Sequence, residues 1–149
     1  MSDIMPKKEM DELLHKATTS RLATYDGKTP YVVPVCFIYY HGNIFLHSAY
    51  NGEKMQNIRM HPQVCLQVDE VDGLITDASV CKYNFAYRSV IIRGEASLIE
   101  NSEQKQQLLT LLTQKYAGTS VQIDFTAKQI ENVAVVKIEF HEITGKKNG

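Results

Sequence analysis

The sequence predicts a mainly β fold with short helices, a small six-stranded antiparallel barrel, closed or split, and three observations carry that expectation. Runs with strand character recur along the chain, joined by turn signals such as Asp26-Gly27 and His41-Gly42-Asn43. The helical segments between them are short and irregularly placed, which argues against an alternating βαβ stack. A G-x-G-x-x-G turn is missing from the sequence, so the phosphate-binding turn of a doubly wound nucleotide fold is not available.

A chain of 149 residues with 44% hydrophobic composition is the size of one domain, 1–149, with enough apolar side chain for its own core. Sixteen basic and 17 acidic residues leave a formal net charge of -1, so no overall positive field invites nucleic acid. No run of eighteen apolar residues occurs. The opening MSDIMPKKEMDELL carries acids and lysines where a secretory peptide has an apolar centre. The expectation is a soluble, cytoplasmic protein with no membrane partner. Cys36, Cys65 and Cys81 are odd in number and widely spaced, which fits neither a disulfide framework nor a zinc site. They read as reduced thiols, Cys36 and Cys65 as small buried hydrophobes, and no metal site is expected.

Taken in order, Met10, Leu13, Leu14 and Ala17 fall at i, i+3, i+4 and i+7, one apolar stripe on a helix of roughly residues 6 to 17 with Pro6 in its first turn. Strand character follows at Ser20 to Tyr25, Pro30 to Tyr40 and Asn43 to Ser48. The middle run, PYVVPVCFIYY, is apolar at nearly every position, so both of its faces should be covered, while Pro34 belongs at an edge or a bulge. A long strand that bends, in a barrel whose outer wall meets a partner, satisfies both. NGEKMQNIRMHP then reads as a short helix, with Asn51 at the N-cap, Met55 and Ile58 on one face and Pro62 at the end.

Val64, Leu66 and Val68 alternate with Cys65, Gln67 and Asp69 as a strand, and residues 70 to 86 read as an irregular excursion. Ser89 to Ile99 is another strand. Asn101 with Gln104 opens a helix whose apolar side is Leu108, Leu109, Leu111, Leu112 and Tyr116, and Thr126 with Gln129 opens one more helical turn. Val133 to His141 closes the chain's pattern as a strand alternating Val136, Ile138 and Phe140 with Lys137, Glu139 and His141.

The chemistry concentrates at the short helix after Ser48. Lys54 would be its third residue, where the macrodipole and unpaired N–H groups disfavour a cation and favour an anion. A bound phosphate would resolve the mismatch, and Gly52 would let the backbone approach it. A lysine in a first helical turn is nonetheless common, and Glu53 can compensate it, so spacing alone favours the plain structural reading. His47 and Ser48 end the preceding strand, Arg88 and Ser89 open a later one, and Tyr50 and Tyr87 offer flat surfaces. Each of these also has an ordinary role, as a structural histidine, a solvated charge or rim packing. HExxH, G-x-S-x-G and P-loop motifs are absent.

The segment RLATYDGKTPYVVPVCFIYYHGNIFLHSAYNGEKMQNIRMHPQVCLQV, with the later YRSVIIRGEA, resembles the pyridoxamine 5′-phosphate oxidase-like superfamily of flavin-binding split barrels. Within it, the sequence is most similar to the nitroimidazole-reductase (Nim-type) branch. The resembling features lie in residues 21 to 100, and the tail matches only in its order of elements. The resemblance implies a homodimer with flavin mononucleotide (FMN) at the subunit interface, acting on a small-molecule substrate. It implies that Pro34, Val35 and Cys36 line the ring through backbone contacts. His47 and Ser48 would contact the ring or ribityl chain, Lys54 would hold the phosphate, and Arg88 with Ser89 would reach the cofactor from the later strand. The oxidase itself carries a second basic residue before the phosphate lysine. Here that position is Glu53, so Arg59 or Arg88 must meet the remaining charge.

Two functions of different class follow. One is an FMN-dependent oxidoreductase, reducing nitroimidazoles or other nitroaromatics, with His47 as the candidate catalytic proton donor because imidazole titrates near neutral pH. The other is a non-catalytic flavin- or haem-binding split barrel, for which His41, His47, His61 and His141 are possible axial ligands. A ligand-free structural dimer is a third reading.

Overall fold

The sheet is curled by its own connectivity. In the computed structural model, which describes residues 3–149, eight antiparallel strands form one sheet: β1 (Asp3–Ile4), β2 (Ser20–Tyr25), β3 (Pro30–Val35), β4 (Ile38–Tyr40), β5 (Asn43–Ser48), β6 (Gln63–Ile75), β7 (Asn84–Leu98) and β8 (Ala134–Asn148). The order is β3-β2-β6-β7-β8-β5-β4, with β1 added to β8. The two outermost strands, β3 and β4, are consecutive in the chain and joined only by Cys36 and Phe37. Val35 and Ile38 are three Cα steps apart, at most about 11 Å, so the two edges come together there, and the sheet closes into a barrel that is split at this seam.

The split barrel is the fold class expected, with eight strands rather than six. The count rises because Asp3–Ile4 pairs with β8 and because Pro30 to Tyr40 is two strands, broken at Cys36-Phe37. The β4–β5 hairpin turns on His41 (φ 49°) and Gly42 (φ 74°), the two left-handed positions of a type I′ turn. The excursion at 70–86 is mostly a regular hairpin arm: β6 runs to Ile75 and β7 starts at Asn84, with a bulge between Val71 and Gly73. Its exposed apolar residues lack the alternation that one-sided burial imposes, which hides it from a periodicity reading. β8 likewise extends to Asn148, beyond the expected His141.

Among the described residues four α-helices sit on this frame: α1 (Lys7–Lys16), α2 (Glu53–Met60), α3 (Ser102–Ala117) and α4 (Ala127–Glu131). The expected stripe of α1 is buried in full, Met10, Leu13, Leu14 and Ala17 joining Leu22, Phe37, Ile44, Leu46, Leu66 and Ile92 in the barrel core. A second cluster lies outside the barrel wall, where Leu108, Leu109 and Leu112 of α3 cover Ile38, Phe45 and Val135. Both capping boundaries expected from sequence form: Asn101 accepts from the Gln104 N–H, and Thr126 and Gln129 bond reciprocally.

Three expectations are corrected. Within its own chain β3 is an edge strand with exposed and half-buried positions in alternation, and Val32 is 63% exposed, so this chain alone does not cover both faces. Cys36 is exposed and Cys65 half-buried, not core residues. The cap of α2 is Gly52 (φ 117°), not Asn51, so Lys54 is the helix's second residue.

Gly94 marks the tightest point in the frame. It lies at the β7 bulge, and a Cβ there would stand 2.1 Å from the Glu139 carbonyl oxygen. Gly94→Ala is expected to cost about 3 kcal/mol or more and lower the melting temperature by about 10 °C. A thermal scan followed by circular dichroism checks this, and an unchanged melting point would contradict the packing described.

Candidate functional site

The loop from β5 to α2 gathers positive charge. Lys54 is half-buried, and burial holds its amine below the usual lysine range. Among the described residues it has no acidic partner; Glu53 is exposed and makes no ion pair with it. The simple compensation by Glu53 therefore does not occur. Arg59, one turn and a half further along α2, donates from its guanidinium to the Tyr50 carbonyl at 2.7 Å. From α3, the nearly buried Lys105 (4% exposed) donates to the Tyr50 hydroxyl at 3.0 Å and lies 5.5 Å from that ring's centroid. Three cations thus surround one short loop, at the N-terminus of a helix whose first N–H groups have no side-chain cap.

An apolar cavity of about 350 Å³ adjoins this loop, lined by Leu109, Leu112, Phe125 and Val133 with Cys36, His47, Thr113, Tyr116 and Gln129. That volume is in the range of small-ligand sites. His47 belongs to both regions. Burial, and then the neighbouring Lys54 cation, hold its imidazole below the usual value near 6.5, so it is neutral at pH 7. The arrangement pairs a charge suited to an anionic group with a slot suited to a ring, joined at a titratable side chain.

Of the residues singled out in the sequence, Cys36, His47 and Lys54 converge here. Val35 closes β3 beside them, its carbonyl accepting from Ser20 Oγ at 3.0 Å, while Pro34 is exposed on the edge. The Ser48 side chain is buried and its hydroxyl bonds the Ala49 carbonyl at 2.9 Å, which shapes the loop. Arg88 and Ser89 are elsewhere. Arg88 is ion-paired with Glu70 and Asp72, and Ser89 Oγ accepts from Gln67 Nε2 at 3.1 Å. Leu98 of β7 pairs with Val136, next to the partner of His47, and Ser89 lies nine residues earlier, about 30 Å of strand away. Within one chain these two residues do not reach the cavity.

The residues that sequence reasoning passed over come from α3. Lys105 precedes Leu108, Leu109 and Leu112 by three, four and seven positions, so a cation stood in the apolar stripe. That is a readable signal for a buried charge with a task. Of the four histidines considered as axial ligands, His41 forms the hairpin turn, His61 ends α2 against the Tyr25 ring, and His141 faces Glu95. Among the described residues no cluster of His, Cys, Asp or Glu could hold a metal ion, and no helix is long and apolar enough to cross a membrane.

No curated protein matches the chain. Among solved structures, a candidate 5-nitroimidazole antibiotic resistance protein from Bacteroides thetaiotaomicron is 26% identical, with a TM-score of 0.84 over 98% of this chain and 87% of its own. A flavocytochrome from Azotobacter vinelandii (22% identity, TM-score 0.88, 99% and 69% covered) shares the fold. So does an FAD- and haem-binding protein from Mycobacterium smegmatis (17%, 0.88, 99% and 73%). The first agrees with the branch that the sequence resembles. The model of the pyridoxamine 5′-phosphate oxidase family matches residues 6–147, and the chain belongs to that family.

Proposed function

We propose that this protein is an FMN-binding oxidoreductase that works as a homodimer and reduces small aromatic substrates of the nitroimidazole type. The observation that carries the reading is the meeting, at His47, of an unpaired half-buried lysine with an apolar cavity. The residues fit the cofactor. Lys54 and the uncapped first turn of α2 suit a phosphate, with Arg59 and Lys105 holding the loop and supplying the charge that Glu53 does not. The seam at Val35-Cys36 and the α3 side chains suit a ring. When bound, the flavin supplies the electron transfer. The chain orients it, keeps water from its buried edge and offers His47 as a proton source beside it.

A second copy accounts for two features. Val71, Leu74, Val80, Tyr83 and Phe85 are exposed together on the hairpin arm, and Val32 is exposed on edge strand β3. A two-fold partner covers both kinds of surface and brings Arg88 and Ser89 to a site that their own chain cannot reach with them. The structural likeness to a flavocytochrome and to an FAD- and haem-binding protein supports a second reading, a non-catalytic flavin or haem carrier.

Turnover separates the readings. FMN-loaded protein is supplied with a reduced nicotinamide and a nitroimidazole, and loss of the nitro compound is followed against pH. Because His47 is cationic only below its lowered pKa, proton donation from it makes the rate rise as pH falls through a value under 6.5. His47→Gln removes that rise. Bound flavin with no nitro reduction at any pH would favour the carrier instead.

A further inference from the structure

The far flank of α3 carries a second concavity, separate from the cavity at His47. Leu109, Leu112, Thr113 and Tyr116 face that cavity, whereas Leu111 and Lys115 lie round the helix from them. There, between α1, β4 and α3, these two line a cleft of about 200 Å³ with His15, Ile38, Tyr39 and Tyr40. The two sites share no lining residue.

The walls of the cleft are mostly ring and hydrocarbon. Ile38 is buried and Leu111, Tyr39 and Tyr40 are half-buried. The Tyr39 hydroxyl donates to Asp11 Oδ1 at 3.1 Å, so its proton is already taken and the residue offers the cleft its ring. The Tyr40 hydroxyl accepts from Gln107 Nε2 at 3.5 Å and keeps its own proton to donate. Lys115 supplies the charge. It is half-buried and gives one of its three N–H groups to the Phe37 carbonyl at 2.9 Å. Lys7, Lys16, Lys137 and Lys147 each stand in an ion pair, whereas Lys115 has no acidic partner among the described residues. The titratable groups around it are His15 of α1, Cys36 in the β3–β4 connection, Tyr39 and Tyr40 of β4 and Tyr116 of α3, and none is a carboxylate. Burial lowers its amine to about 8, as expected of an ammonium without a counter-charge, and at pH 7 it is still mainly the cation.

We propose that this cleft binds small aromatic carboxylates, with the ring against Tyr39, Tyr40, Ile38 and Leu111 and the carboxylate on the Lys115 ammonium. Donors without an acid call for an acceptor, and a carboxylate is the acceptor that also returns the missing charge. The aromatic and aliphatic walls call for a flat apolar body on the same molecule. A volume of about 200 Å³ lies below the range of drug-sized sites, so one ring fits and the fused rings of a flavin do not.

The test is titration of the protein with benzoate, read by NMR on the ring resonances of its histidines and tyrosines. Saturable shifts are expected at His15, Tyr39 and Tyr40 but not at His47, with a dissociation constant of about 1 mM. Benzamide, which keeps the ring without the charge, and acetate, which keeps the charge without the ring, should each bind about tenfold more weakly. Lys115→Met should weaken benzoate by about tenfold and leave benzamide unchanged. Because Lys115 also holds the Phe37 carbonyl, a variant that fails to fold leaves the decision to the unaltered protein, through the benzoate–benzamide difference and the position of the shifts. Absence of saturable shifts at His15 and Tyr39 up to about 20 mM benzoate, shifts confined to His47, benzamide binding as tightly as benzoate, or a folded Lys115→Met protein with unchanged benzoate affinity would overturn the proposal. The titration needs no FMN, so the cleft and the flavin reading succeed or fail separately.

Discussion

Lys54→Ala is expected to weaken FMN binding by about 10- to 100-fold, the loss of one or two charge-assisted bonds to a phosphate. The effect should fall on the cofactor and not on the fold. Lys54 is half-buried with no acidic partner among the described residues, and burial already disfavours its charged form. Removing it takes away a desolvation cost and no ion pair, so the melting temperature of the cofactor-free protein should hold or rise slightly. Fluorescence titration with FMN, beside a thermal scan without it, checks both halves. Riboflavin, which lacks the phosphate, should bind the two proteins alike. A variant that loses FMN and riboflavin equally would instead implicate the shape of the loop. Lowered stability without FMN would implicate the packing of α2.

The second large effect is expected at the hairpin arm. Leu74 and Phe85, paired across it, are 66% and 53% exposed. In a folded single chain a charge at either is almost without cost. In a dimer that buries them, Leu74→Asp with Phe85→Asp puts two carboxylates into an apolar contact, a cost of several kcal/mol that raises the dimer dissociation constant by about a thousandfold or more. Sedimentation should show a dimer for the unaltered protein and a monomer for the double variant. On the proposed dimer, in which a second copy brings Arg88 and Ser89 to the site, FMN retention should fall with it. A monomeric variant with full FMN retention would show that one chain completes the site alone.

How far the sequence reveals this arrangement depends on what each element buries. The α1 stripe, the Asn101 cap and the Thr126–Gln129 capping box are plain, because each is a local pattern with one structural solution; at Asn101 the reciprocal Gln104 bond of a full box does not form. So is the His41-Gly42 turn, whose two residues both adopt positive φ. The Pro30 to Tyr40 run misleads, because its hydrophobicity reports an apolar edge strand and a seam, not a strand covered on both sides by its own chain. The arm at 70–86 lacks alternation for the same reason: its apolar residues are exposed in the single chain, and nothing in this fold selects a face.

The site divides similarly. Cys36 lies in the β3–β4 connection, His47 near the end of β5 and Lys54 in the first turn of α2, all in one stretch of the chain, so sequence proximity leads to them. Lys105, Lys115 and Tyr116 arrive from a helix about fifty or more residues later, through packing that only the closed barrel defines. Gly52 displaces Asn51 as the helix cap because its positive φ sets the entry of the chain into α2, a backbone feature that the usual preference for asparagine does not capture. Arg88 and Ser89 were paired with this site by resemblance. In the single chain they serve the arm side of the sheet, Arg88 balancing Glu70 and Asp72.

The most direct test is the visible absorbance spectrum of the purified protein, incubated with FMN in one sample and haem in another, then desalted. The account predicts two broad flavin bands retained near one FMN per chain, and no retained Soret band. A protein that emerges colourless from FMN, or that keeps haem and not flavin, would contradict it.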